Sequence, residues 1–230
     1  MKALIILLLL ALLGWAAAPW LSSRVPPGWH PFTPLAPGDP PTWVTRYKLS
    51  RLADDPASCR AILQRLQQAG MLRYRQVADS DGRCPLRGAV RVERFGTVAL
   101  SASFLASCPL AVRSAFWVAT QAARPLEGGA VLARIDHVGS FACRNIYHRA
   151  EGRRSEHASA DAWDVTGFRF AGGPAIGVNA DWQQSSAAGR WLRRAFRQAC
   201  PWYGNALGPD YNAAHASHFH FGLRSWGTCR

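Results

Sequence analysis

Four of the seven histidines in this chain stand at positions 157, 215, 218 and 220, and three of them crowd into the six residues from 215 to 220. On a strand, residues i and i+2 point to the same face about 7 Å apart. His218 and His220 would then address one cavity while Phe219 and Phe221 point into a core. A His-x-His pair alone is also common on ordinary strands, so it needs a further partner. The run Ser155-Glu156-His157-Ala158-Ser159-Ala160-Asp161-Ala162-Trp163-Asp164 supplies candidates. On a straight helix His157 and Asp164 would lie about 10.5 Å apart along the axis and would not share an ion easily. If His157 ends a loop and Asp164 stands on the next strand, a turn through Ser159 and Ala160 brings both side chains to one point. The alternation of Trp163 and Val165 against Asp164 and Thr166 supports that strand and puts Asp164 on the cavity face. An imidazole, a carboxylate and a further imidazole make a three-ligand tetrahedral site with the fourth position open, the pattern of catalytic zinc. Such zinc acidifies its water to a pKa of about 7 and polarises a carbonyl. Glu156 does not make this a zincin helix: the H-E-x-x-H order is absent, since Asp161 follows His157 by four.

These residues need a scaffold. Asp55-Pro56 has the form of an N-cap followed by proline in the first helical position. Cys59, Ile62, Leu63, Leu66 and Ala69 then recur at helical spacing until Gly70. A second helix is expected from Pro109 to about Ala123. A third, around Trp191 to Cys200, sets Leu192, Ala195, Phe196 and Ala199 against Arg193, Arg194 and Arg197. Strands are expected near residues 87–94, 98–103, 131–137, 163–170, 175–178 and 218–223. Helices and short strands mixed in this order indicate an α+β domain built on a small antiparallel sheet flanked by helices.

Upstream, an unbroken apolar run from Ala3 to Leu21 is close to the length a bilayer-spanning helix needs. It reads as an uncleaved anchor over residues 1–22. A signal peptide is the alternative, since Ala16 and Ala18 have the small-x-small spacing of a cleavage site. Lys2 ahead of the run leaves the N-terminus cytoplasmic and the rest of the chain outside. Eight of the fifteen prolines fall from Pro19 to Pro41, so residues 23–51 are expected to be a stiff spacer and 52–230 the folded domain. Six cysteines, Cys59, Cys84, Cys108, Cys143, Cys200 and Cys229, contain no C-x-x-C and fit three disulfides in an oxidising compartment. Fifteen pairings are possible; joining neighbours in sequence, Cys59 with Cys84, Cys108 with Cys143 and Cys200 with Cys229, is the expectation taken here. The chain carries 27 basic and 14 acidic residues, a balance that suits an anionic partner. The excess is nearly all arginine, which a GC-rich coding sequence also produces. There is no basic block or nucleic-acid motif, and export argues against that partner.

The order Ser155-x-His157, Asp164 and His218-x-His220 resembles the zinc motif of the superfamily joining lysostaphin-type peptidases, D-Ala-D-Ala metallopeptidases and hedgehog domains. More closely, several blocks in order resemble the bacterial extensin-like protein C-terminal domain family over about Asp54 to Arg230. They are Arg94-Phe95-Gly96, Cys108-Pro109-Leu110-Ala111, Cys143-Arg144-Asn145, Ser155-Glu156-His157-Ala158, Leu207-Gly208-Pro209-Asp210-Tyr211-Asn212 and His215 to His220. One departure from the peptidase pattern is Ala160, standing where a glycine usually follows the first zinc histidine by three. By position, the resemblance makes His157, Asp164 and His220 the Zn2+ ligands and His218 the base, and implies a hedgehog or D-Ala-D-Ala-peptidase-like fold. Arg144, for a substrate carboxylate or an oxyanion, and Glu156 complete the catalytic candidates, while Ser155 and His215 are expected behind or beside the ligands. The function this implies is a periplasmic, membrane-tethered zinc hydrolase cutting an amide bond in peptidoglycan. The alternative is a wall-binding or scaffolding module that keeps the fold without catalysis. No protein partner is identified.

Overall fold

The computed structural model describes residues 2–26, 28–36, 38–225 and 227–230; Pro27 and Pro37 of the expected spacer lie outside them. The first helix, α1 (Lys2–Ser22), is apolar on all sides, and its stretch Leu4–Ser22 is long and apolar enough to cross a membrane. None of that stretch is buried against the rest of the chain, so it is not a core element.

The three expected helices form, the third starting four residues before Trp191. In α3 (Pro56–Gln68), Asp55 accepts the Ser58 N–H at 3.0 Å and Pro56 takes the first turn, where no donor is missed. Ser107 caps α4 (Cys108–Ala122) and Ser186 caps α6 (Ala187–Ala199) in the same way. Two helices were not expected: the short α5 (Val178–Asp181) and α2 (Trp43–Arg51). The latter lies within residues 23–51, expected as spacer. Thr42 caps α2, Val44, Thr45 and Leu49 are buried, and Leu35 joins the main core. The packed unit therefore reaches back into the supposed spacer. With only three inward residues, α2 shows too weak an apolar period to stand out beside the prolines.

All six expected strands form: β2 (Val90–Phe95), β3 (Val98–Ala106), β4 (Leu132–His137), β5 (Ala162–Phe170), β6 (Ala175–Gly177) and β8 (Phe219–Gly222). Three more, β1 (Arg73–Gln76), β7 (Asn205–Leu207) and β9 (Thr228–Cys229), are short and carry little alternation. The class is α+β as expected, but the sheet is larger and mixed. Among the described residues it has nine strands in the order β1-β2-β3-β4-β5-β8-β7-β9, with β6 also beside β5, and it is not closed. The β3–β4 and β7–β9 pairs are parallel and the others antiparallel.

Two features of β5 place the site. His137 pairs with Val165 while Asp136 pairs with Gly167, so Thr166 is an extra residue in the ladder. Such a bulge shifts side-chain parity, and Trp163, Val165, Phe168 and Phe170 all become buried. They pack around Trp117 of α4: its ring meets Trp163 at 6.1 Å, Phe168 at 6.3 Å and Phe221 at 4.8 Å. Buried aromatics on one face leave the other face of β5 and β8 open for polar groups.

The disulfides are Cys59–Cys108, Cys84–Cys143 and Cys200–Cys229. The last pairing is the expected one; the other two are corrections. Helix α3 packs on α4 and turns Cys59 towards the start of that helix, whereas Cys84 sits in a loop beside Cys143. Closeness in sequence does not survive this packing.

Candidate metal centre

Asp164 and His220 stand directly opposite each other in the β5–β8 ladder. Paired residues of antiparallel strands project from the same face with Cβ atoms about 5 Å apart, which brings the carboxylate to the imidazole. Asp164 Oδ1 lies 3.0 Å from His220 Nδ1. His157 arrives from a 3-10 turn, Glu156–Ser159, capped by Ser155, whose Oγ accepts the His157 N–H at 3.3 Å. The chain then reverses through Ala160 at φ 54°, ψ 33°, the left-handed conformation that glycine adopts without cost. The Ala160 methyl group is accommodated among Leu86, Ala89 and Leu105. Asp164 Oδ2 thereby meets His157 Nε2 at 3.2 Å. The three ligand atoms all lie within 4.8 Å of one another. Asp164 meets each imidazole through a different oxygen, so the three residues converge on one point and could hold a metal ion.

The outer partners fix which ring nitrogen faces the centre. His157 Nδ1 donates to the Ser140 carbonyl at 2.6 Å, leaving Nε2 as the ligand atom. His220 Nε2 faces Glu156 Oε2 at 3.5 Å, leaving Nδ1 inward. Metal-binding histidines are held in this way by carbonyls and carboxylates behind them. Glu156 is itself held: Oε1 accepts the N–H groups of Leu223 at 2.8 Å and Arg224 at 2.7 Å, and Oε2 accepts Asn205 Nδ2 at 2.8 Å. Gly222 makes room for it, since a Cβ there would come within 2.6 Å of Glu156 Oε1 and closer still to Asn205.

The electrostatics follow from these contacts. Burial works to raise both carboxylates, but hydrogen bonds outweigh it. Those from His220, Asn205 and the Arg224 backbone hold Glu156 at about 2, and those from His157 and His220 keep Asp164 well below the usual range. For His220, burial is likewise overcome by Asp164 and Glu156, and the ring is raised to about 9. His218, with Nε2 3.7 Å from Asp164 Oδ1, is lowered by burial against the pull of Asp164. His215 is lowered to about 4 by burial and by His220 and His218. Its ring lies 5.7 Å from that of His220, and Asn212 Oδ1 holds its Nδ1 at 2.8 Å.

The centre opens into a cleft of about 570 Å³ lined in part by Arg144, Arg153, Tyr147, Tyr211 and Arg224. Every expected site residue is therefore either in the triad, in contact with it or on this cleft. Glu156, expected among the catalytic candidates, is behind His220 with both oxygens taken by donors. Sequence reasoning missed Asn205, Ser140 and Tyr147. Ser140 acts through its carbonyl, which any residue type supplies. Asn205 sits on a three-residue strand, and Tyr147 lines the cleft, its hydroxyl accepting from Asn212 Nδ2 at 3.2 Å.

Residues 57–230 match the family described as "Extensin-like protein C-terminus". Comparison with curated proteins and with solved structures found no significant match. The chain belongs to the extensin-like C-terminal family.

Proposed function

We propose that this member of the extensin-like C-terminal family is an envelope zinc-dependent hydrolase that cleaves an amide bond in peptidoglycan stem peptides or cross-links. The observation that carries the reading is the His157–Asp164–His220 triad with a further imidazole, His218, beside it at the floor of an open cleft. A His2Asp donor set with outer partners on both rings fits zinc. When bound, zinc would supply Lewis acidity towards an amide carbonyl and a water molecule. His218, kept neutral by burial, can take a proton from water and return it to the leaving amine. Arg144 offers a guanidinium to a substrate carboxylate, and Glu156 holds His220 in one orientation. The likeness to lysostaphin-type and D-Ala-D-Ala peptidases belongs to the same reading. So does placement outside the cytoplasm behind an anchor or a cleaved signal, supported by the apolar helix and the disulfides.

The second reading is a wall-binding module with a structural metal. The arginines on the cleft favour it, because Arg144, Arg153 and Arg224 would hold anionic wall peptides without any chemistry. Metal content of the purified protein, wild type and His157→Ala, followed by muropeptide digestion, tests the first reading. Zinc at background level in wild type would end it. Zinc bound but His218→Ala indistinguishable from wild type in digestion and in a wall-defect assay would favour the second.

A further inference from the structure

Helix α2 has two faces. Val44, Thr45 and Leu49 point inward and are buried. Trp43, Tyr47 and Arg51, four residues apart along the other side, point outward, with Trp43 67% and Tyr47 53% exposed. Two more exposed aromatics extend this stripe. Trp29, 46% exposed, sets its ring edge-on to Trp43 at 6.3 Å, and Phe32, 90% exposed, shares a cleft with Tyr47, Lys48 and Arg51. The patch is continuous, aromatic and uncovered, and leaving such surface in water is costly unless something meets it.

Its position indicates what does. The apolar helix α1 ends at Ser22, seven residues before Trp29, a span of at most about 25 Å. At that end Arg24 lies over the Trp20 ring at 4.6 Å, the arrangement of an aromatic and a cation at a lipid–water boundary. Residues 23–51 carry four basic side chains and one acidic one, Asp39. Lys48 donates to Thr33 Oγ1 at 3.4 Å, and Arg51 pairs with Asp54 at 3.3 Å in an exposed contact. Tryptophan and tyrosine concentrate where headgroups meet acyl chains, and basic side chains are drawn to anionic headgroups.

We propose that residues 29–36 and 38–51 form a docking face for the bilayer surface beside α1. Trp29, Phe32, Trp43 and Tyr47 enter the interfacial layer, and Lys48 and Arg51 meet anionic headgroups. The domain is then laid against the membrane rather than swinging on a tether. This holds whatever reaction the cleft carries out.

The test uses the full chain with a protease site inserted between Arg24 and Val25, reconstituted outward-facing in vesicles of equimolar phosphatidylglycerol and phosphatidylcholine or of phosphatidylcholine alone. After cleavage the severed domain is expected to sediment with the anionic vesicles. Trp43→Ser/Tyr47→Ser should raise its release at least tenfold on the order expected for losing two interfacial anchors, and Lys48→Gln should weaken binding about fivefold. Near-UV circular dichroism and the thermal midpoint check that the double variant is folded; if it is not, Phe32→Ser, at a nearly fully exposed position, replaces it. Release of the wild-type domain on cleavage would overturn the proposal, as would variants that stay bound like wild type. A severed domain that is dimeric in solution, and monomeric once the patch is changed, would make the face a contact between copies and overturn it as well.

Discussion

The β5–β8 strand pair carries two opposite kinds of chemistry on alternate rungs. Trp163 pairs with Phe221 and Val165 with Phe219 on the side facing α4, while Asp164 pairs with His220 between them on the side facing the cleft. On the core side Trp163 stacks on Phe104 at 4.9 Å and Phe221 on Tyr203 at 4.7 Å, all of them buried. The polar tips there form one chain: Trp163 Nε1 donates to Tyr203 Oη at 3.2 Å, which donates to Ser114 Oγ at 3.0 Å. Attraction on this side scales with area and tolerates small shifts. On the cleft side each donor has one required partner and direction, and burying charged groups there costs stability unless every contact is made. The rigid side holds the exacting one in place, because one backbone sets the positions of both.

The largest effect should come from the core side. Phe221→Ala is expected to lose about 3–5 kcal/mol of stability in urea denaturation, since the cavity would open beneath Trp117 and Tyr203. If the folded fraction still takes up metal with wild-type affinity, the two faces are less coupled than their shared backbone implies. On the cleft side, His157→Ala should abolish the thermal stabilisation by zinc, about 2.7 kcal/mol at a hundredfold excess over Kd. Its stability in chelator should change far less than that of Phe221→Ala. A zinc-dependent shift that survives this substitution would place the ion elsewhere.

Glu156→Gln tests the outer layer. It keeps the shape but removes the charge behind His220, so metal affinity should fall about 10–100-fold by competition titration. Gly222→Ala should act in the same direction by displacing the Glu156 carboxylate.

The two faces should also part with pH. In chelator, the charged His220, raised to about 9, adds stability that is fully present below about pH 6.5 and is lost as pH rises through 9. Metal competes with that proton, so zinc affinity should rise across the same window. Parallel trends in thermal midpoint with and without zinc would contradict this. The smallest effect is expected at Ala160→Gly. Relief of the left-handed strain, of order 1 kcal/mol, is offset by the methyl contacts with Leu86 and Ala89. The net change should stay within about 1 kcal/mol with metal binding intact.

Much of this arrangement was legible from local pattern. Asp55, Pro56 and Gly70 delimited α3, and the His218-to-Phe221 alternation announced a strand with one polar and one apolar face. The turn through Ser159 and Ala160 could be inferred because His157 and Asp164 are too far apart on a helix to share an ion. Less legible were features with a weak or absent local signal. The bulge at Thr166 depends on the partner strand, since nothing in Asp164-Val165-Thr166-Gly167 announces an extra residue. Helix α2 lay hidden beside the prolines because what distinguishes it from a spacer is the burial of Val44, Thr45 and Leu49, the last a member of the main core.

The sequence by itself determined the types of the candidate ligands, their strand and turn settings, the apolar N-terminal helix and the number of cysteines, because these are properties of residue identity and short-range spacing. The tertiary structure alone decided which cysteines meet, that Asp164 faces His220 across a ladder, and that Glu156 meets four donors beside His220. Those outcomes depend on which distant segments pack together, and packing is decided by the burial of the whole chain, not by any window of it.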